Sequence, residues 1–151
     1  MRVDGIHHVG LTVGDLDRAR WFFEEVLGLP LRDAGDDASP AIDRIVRMPD
    51  VRLRYAEYDL AAGQILEVLS YVAPEGTPLA QEVNDPGSAH LALVVDDIEE
   101  AYARLVEHGV AVRSEPVTIE DEGWWQGHVA CYATGPDGFT VELIQAPRSA
   151  D

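Results

Sequence analysis

Lysine is missing from this chain. All 11 basic residues are arginine, set against 28 Asp and Glu, for a net charge of −17. A surface this negative repels phosphate backbones and anionic lipid, so neither nucleic acid nor a membrane is an expected partner. Cysteine is almost missing too. Cys131 stands alone and cannot form an internal disulfide, so nothing asks for an oxidising compartment. No apolar run approaches the ~18 residues of a membrane span, and the opening MRVDGIHH has no signal-peptide core. The expected location is the cytoplasm. Glycine and proline are modest and 46% of residues are hydrophobic, which excludes a disordered or low-complexity chain. At 151 residues the length fits one domain, or two small halves sharing a core.

What is present begins with GIHHVGLTV, Gly5 to Val13, which reads as a strand. Val9, Leu11 and Val13 form one apolar face; His8, Gly10 and Thr12 form the other. Asp15 is the expected N-cap of a helix with Leu16, Ala19, Phe22, Phe23, Val26 and Leu27 at helical spacing, stopped by Gly28. A short strand over Pro30 to Asp37, a short helix over Ala41 to Met48 and strands over Val51 to Leu60 and Gln64 to Val72 complete the first half. In that helix Ile42, Ile45 and Val46 are expected on one side. Pro74 to Gly87 has turn-forming composition and is the natural joint.

After the joint the pattern begins again. SAHLALVVD, Ser88 to Asp96, is a strand carrying His90, and Asp96-Asp97 caps a helix with Ile98, Ala101, Tyr102 and Leu105 on one face, stopped by Gly109. A broken strand over Val110 to Ile119, a loop with Trp124 and Trp125, a strand over His128 to Thr134, a Gly135-Pro136-Asp137-Gly138 turn and a last strand to Gln145 follow. LGLPLR and HGVAVR correspond, as do QILEVL and FTVELI, each of the latter preceded by glycine. The economical reading is α+β: two tandem βαβββ modules forming a curved mixed sheet around a metal-binding cleft. Within one domain, module 1 spans about 4–73, the linker about 74–87 and module 2 about 88–147.

Strand parity places the chemistry. Leu66 and Val68 point away from Glu67, Val141 and Leu143 away from Glu142, and Leu91 and Leu93 away from His90. A carboxylate in an apolar strand is costly unless something compensates for it. Two carboxylates and two imidazoles at matching positions suggest a shared cation. The set His8, Glu67, His90 and Glu142 suits one divalent transition metal: Fe, Ni, Zn, Mn or Co. Four protein ligands on an octahedral ion leave two positions for a chelating substrate or water.

The stretches IHHVGLTVGDLDRARWFFEEVLGLPL, QILEVLSY, SAHLALVVDDIEEAYARLVEHGV and GPDGFTVELIQ resemble the vicinal oxygen chelate superfamily. That family contains glyoxalase I, methylmalonyl-CoA epimerase, extradiol dioxygenases and fosfomycin- or bleomycin-resistance proteins. The resemblance spans Gly5 to Pro147 and implies ligands on the first and last strand of each module, landing on His8, Glu67, His90 and Glu142. It also implies a homodimer, a small-molecule substrate bound through vicinal oxygens, and an enolate-type intermediate. An intact four-ligand set favours a metal-dependent lyase or isomerase over a non-catalytic drug-binding protein. A chain of two modules with a fourth ligand disfavours the Fe(II) ring-cleaving dioxygenases. Glyoxalase I has the matching ligand set, but no counterpart of its glutathione-binding residues is visible here; methylmalonyl-CoA epimerase has Gln where this chain has Glu67.

Other polar residues are weighed beside that set. A displaced Glu67 or Glu142 is expected as catalytic base, since a carboxylate can alternate between ligation and proton transfer, and His128 is a further candidate. Trp124, Trp125 and Tyr71 are the expected substrate-binding residues, the tryptophans as a lid. His7, sharing a face with Val9, reads as structural or partly exposed. Glu57 and Arg54 are weighed as base or anion clamp, and a solvated face is the favoured reading.

Overall fold

The computed structural model describes residues 1–147, and among them no helix is long and apolar enough to cross a membrane. The chain divides into two compact units, residues 1–79 and residues from 80 onward. The first contains β1 (His8–Thr12), α1 (Leu16–Arg20, continued by a wider π-helical turn over Trp21–Val26), β2 (Leu31–Asp37), α2 (Pro40–Val46), β3 (Arg52–Asp59) and β4 (Ile65–Ala73). The second contains β5 (His90–Val94), α3 (Ile98–Glu107), β6 (Val117–Thr118), β7 (Val129–Thr134) and β8 (Thr140–Gln145).

Each unit builds its own four-stranded mixed sheet, in the orders β1-β4-β3-β2 and β5-β8-β7-β6. The first strand of each runs parallel to the last, and a helix makes the crossover such a pair requires. The remaining neighbours are antiparallel. This is the expected βαβββ unit, twice. The duplication reaches the backbone. Asp15 caps α1 by accepting from Arg18 N, and Asp97 caps α3 by accepting from Glu99 N and Glu100 N. Gly28 and Gly109 close those helices at φ +68° and +69°, a conformation glycine adopts without steric cost. Ala62 and Asp137, in the turns entering the last strands, both have positive φ.

The helix-facing sides of the sheets are the cores. In the first unit Phe23, Val26, Ala56, Tyr58, Leu66 and Val68 are 0–1% exposed, with the Phe23 and Tyr58 rings 5.6 Å apart. In the second, Ile98 and Leu105 of α3 lie over Cys131, Ala133, Val141 and Leu143, all buried. Burial on that scale contributes roughly 1.5–3 kcal/mol for each large apolar side chain.

Three local expectations need correction. β1 begins at His8 rather than Gly5, because its partner β4 begins at Ile65, the residue paired with His8. Val9 remains 36% exposed on this edge strand, although Leu11 and Val13 are buried. The short helix forms, but it buries no apolar side: Ile45 is 76% exposed. It is tied down by polar contacts instead, with Val51 N donating to Asp43 Oδ1 at 2.8 Å.

Candidate functional site

In an antiparallel or parallel pair, directly opposed residues point to the same side of the sheet. Glu67 is opposed by Gly10, and Glu142 by Ala92; each histidine lies two residues before that opposed position. His8 and Glu67 therefore share the face turned away from the helix, and so do His90 and Glu142. The side chains meet: His8 Nε2 lies 3.6 Å from Glu67 Oε2, and His90 Nε2 lies 3.2 Å from Glu142 Oε2. Between each His and Glu the chain keeps a small residue. A Cβ added at Gly10 would sit 3.6 Å from Glu67 Oε2, an ordinary contact, and Ala92 supplies that methyl in the second unit.

These separations fit a metal. With ion-to-donor bonds of about 2.1 Å, the angle at the ion would be about 100° in the second pair, between octahedral and tetrahedral, and about 120° in the first, somewhat wider than tetrahedral. Imidazole nitrogen with carboxylate oxygen is the donor chemistry of divalent transition ions. Among the described residues no group of three or more His, Cys, Asp or Glu forms a metal cluster, so what each unit displays is a pair.

His7 has a part that its sequence position did not signal. Its Nδ1 lies 2.8 Å from His8 Nδ1, with the rings edge to face. The tautomer in which His8 donates from Nδ1 leaves the Nε2 lone pair free on the Glu67 side, the usual way an outer group orients a metal-binding imidazole. In the second unit the His90 ring stands 5.4 Å from that of Tyr132, which directly opposes Glu142. Burial foremost, and then the Glu142 carboxylate, push the Tyr132 phenol above its ordinary pKa, so it stays a hydrogen-bond donor. Behind the sheet, burial raises the Cys131 thiol, with Glu142 a further cause; it remains a neutral core residue.

The other expected site residues fall in different places. Tyr71 lies on the same face as Glu67, further along β4 and half-buried. Trp124 and Trp125 are 84% and 52% exposed on the loop before β7. His128 belongs to that loop: its Nδ1 lies 3.1 Å from the Trp125 carbonyl oxygen, and its ring packs edge-on against that of Trp125. Those contacts brace the loop and do not link His128 to the His90–Glu142 pair. Arg54 and Glu57, read together as a solvated face, separate. Arg54 faces α1 and pairs with Asp17 at 2.9 Å, whereas Glu57 is opposed by Glu67 on the face that carries the His–Glu pair.

Two mixed sheets of βαβββ topology, each presenting one His–Glu pair on the face turned away from its helix, define a protein of two repeated modules. Residues 5–143 match the Glyoxalase/Bleomycin resistance protein/Dioxygenase superfamily, and the chain belongs to that family. It is 37% identical to a 2-epi-5-epi-valiolone epimerase from an Actinomyces species, over 96% of this chain and 81% of the relative. It is 27% identical to a lactoylglutathione lyase from Salmonella typhimurium, over 92% of this chain and 90% of that one. Among solved structures, a glyoxalase family protein from Bacillus cereus superposes with TM-score 0.84 at 24% identity, covering 98% and 97% of the two chains. That likeness establishes the fold.

Proposed function

We propose that this protein is a metal-dependent epimerase of small polyhydroxylated ketones. The observation that carries the reading is the duplicated His–Glu pair, placed at the same strand register in both units with nitrogen-to-oxygen separations of 3.6 and 3.2 Å. The epimerase relative at 37% identity supports an epimerase over a glutathione-linked lyase. A ketone flanked by a hydroxyl offers the adjacent oxygens that the donor chemistry calls for.

His8, Glu67, His90 and Glu142 are the proposed ligands of a divalent transition ion. When bound, such an ion supplies Lewis acidity to the carbonyl and neighbouring hydroxyl of the substrate. The chain's own part is to hold the ligands in place: His7 orients His8, and Gly10 and Ala92 keep the space between donors open. The phenol of Tyr132 beside Glu142 supplies a donor to substrate oxygen. A proton is removed from the carbon next to the carbonyl and returned to its other face, which inverts that centre and needs no oxidant or reductant. Trp124, Trp125 and Tyr71 are proposed as walls for the substrate ring, and a homodimer is the proposed assembly.

The test begins with elemental analysis of untagged protein beside Glu67→Ala and His90→Ala. About one transition metal for each set of four ligands is expected in the wild type, with loss in both variants. Metal-loaded protein is then incubated with 2-epi-5-epi-valiolone and the product read by NMR. Inversion that stops on chelation and returns on reloading supports the proposal. Failure to hold any of the five ions, or turnover indifferent to chelator, overturns it. Tight ligand binding without metal would point instead to a sequestering protein.

A further inference from the structure

The two units repeat so closely that a difference between equivalent positions marks a difference in task. The residue opposed to Glu142 in the second sheet is Tyr132; the residue opposed to Glu67 in the first is Glu57. Like charges directly opposed across two strands are destabilising, so a second carboxylate is a costly choice there. Glu57 is also no solvated surface group, because its side chain is only 28% exposed, close to the 26% of Glu67.

The strand beside it is deformed in its favour. The register of β2 against β3 slips between Leu31 and Asp33, leaving Arg32 as an extra, bulged residue. A bulge re-aims a side chain, and Arg32 is turned onto this face: its Nη1 lies 2.8 Å from Asp59 Oδ1 and its Nε 3.6 Å from Glu57 Oε2. The second unit does not copy this. Arg113, the counterpart of Arg32 in the repeat, turns to Glu82 at 3.7 Å. The Glu57 carboxylate pairs with Arg32, whereas that of Glu67 pairs with His8. A carboxylate beside a metal pair but outside it can accept a proton while both ligands stay in place.

We infer that Glu57 is the proton-transfer residue of the reaction proposed above, and that Glu67 and Glu142 serve as ligands only. The inference rests on the epimerase reading. Glu57 takes the proton from the carbon adjacent to the substrate carbonyl. The C–H electron pair forms the carbon–carbon double bond, and the carbonyl π pair moves onto oxygen. Glu57 then passes its proton to solvent, and a proton delivered from water to the opposite face of the same carbon reverses the electron flow, so the sum is an inversion with no net change in atoms or electrons.

Wild type, Glu57→Gln and Glu67→Ala are compared in D2O with 2-epi-5-epi-valiolone, following deuterium entry beside the carbonyl by NMR. Metal content and the visible spectrum of cobalt-loaded protein are measured on the same samples. Glu57→Gln is expected to keep the wild-type metal content and cobalt spectrum while deuterium entry falls by about 10²–10⁴-fold. Glu67→Ala is expected to lose metal. Glu57→Asp, which retains a carboxylate, should recover part of the exchange, and Glu57→Ala replaces the glutamine variant if circular dichroism shows it unfolded. Exchange within threefold of wild type in Glu57→Gln overturns the inference, as does an altered cobalt spectrum, which would make Glu57 a ligand. Wild-type protein that binds cobalt but exchanges nothing overturns the epimerase reading itself, and the role of Glu57 with it.

Discussion

At the scale of single residues, the orientation of His8 depends on a neighbour. His7 Nδ1 lies 2.8 Å from His8 Nδ1, and outer groups of this kind typically change metal affinity by 10–100-fold when removed. His7→Ala should therefore keep the metal stoichiometry but weaken affinity by about that factor, as read by competition with a chelator. Unchanged affinity would reduce His7 to a surface residue. The four ligand candidates were legible in the sequence because a lone polar residue in an alternating apolar strand has few uses. Glu57 was visible in the sequence as a candidate base but was set below a solvated face, because it sits in a strand where Arg52, Arg54 and Asp59 are polar as well. Strand parity puts it on the opposite face from Arg54, three residues earlier, and the register against β4 sets it opposite Glu67.

At the scale of elements, α1 is fastened to β3 by charge as well as by packing. Arg20 Nε donates to Glu24 Oε1 at 2.7 Å, and the Tyr58 hydroxyl donates to the same oxygen at 3.2 Å. The hydrogen bond from Arg20 is the main cause that holds the Glu24 carboxyl below its ordinary pKa. A carboxylate depressed in the folded state adds stability above its unfolded pKa, and that stability is lost as pH falls through the folded value. Denaturation followed from pH 7 downward should thus show a loss beginning near the ordinary glutamate range and completed below it. Glu24→Gln should cost about 1 kcal/mol at pH 7 and flatten that acid limb. An unchanged slope would mean that the contact adds nothing to stability. Helices α1 and α3 were readable from their Asp caps and glycine stops, signals local to the chain. The exposed Ile45 of α2 was misread because spacing alone says which residues share a side, not whether anything covers that side.

At the scale of the whole molecule, the two units are separate in sequence and similar in build, each with two donors. The proposed metal would bind the folded chain and not the unfolded one, and so would stabilise it by mass action, by about 2.7 kcal/mol at one hundred times its dissociation constant. Thermal melting with and without a chelator should show a lower midpoint for the stripped wild type, and no such difference in Glu67→Ala. An identical shift in that variant would place the metal elsewhere. By itself the sequence determined the repeat, the helix caps, the alternating faces, the anionic character and the four ligand candidates. Each follows from local periodicity and composition, which the order of residues carries directly. Tertiary structure decided the rest. It opposed Glu67 to Glu57 and Glu142 to Tyr132, and turned Arg32 onto the open face. Those outcomes depend on strand register and on one bulge. Register is settled by how whole strands pack together, a property that no stretch of the chain holds alone.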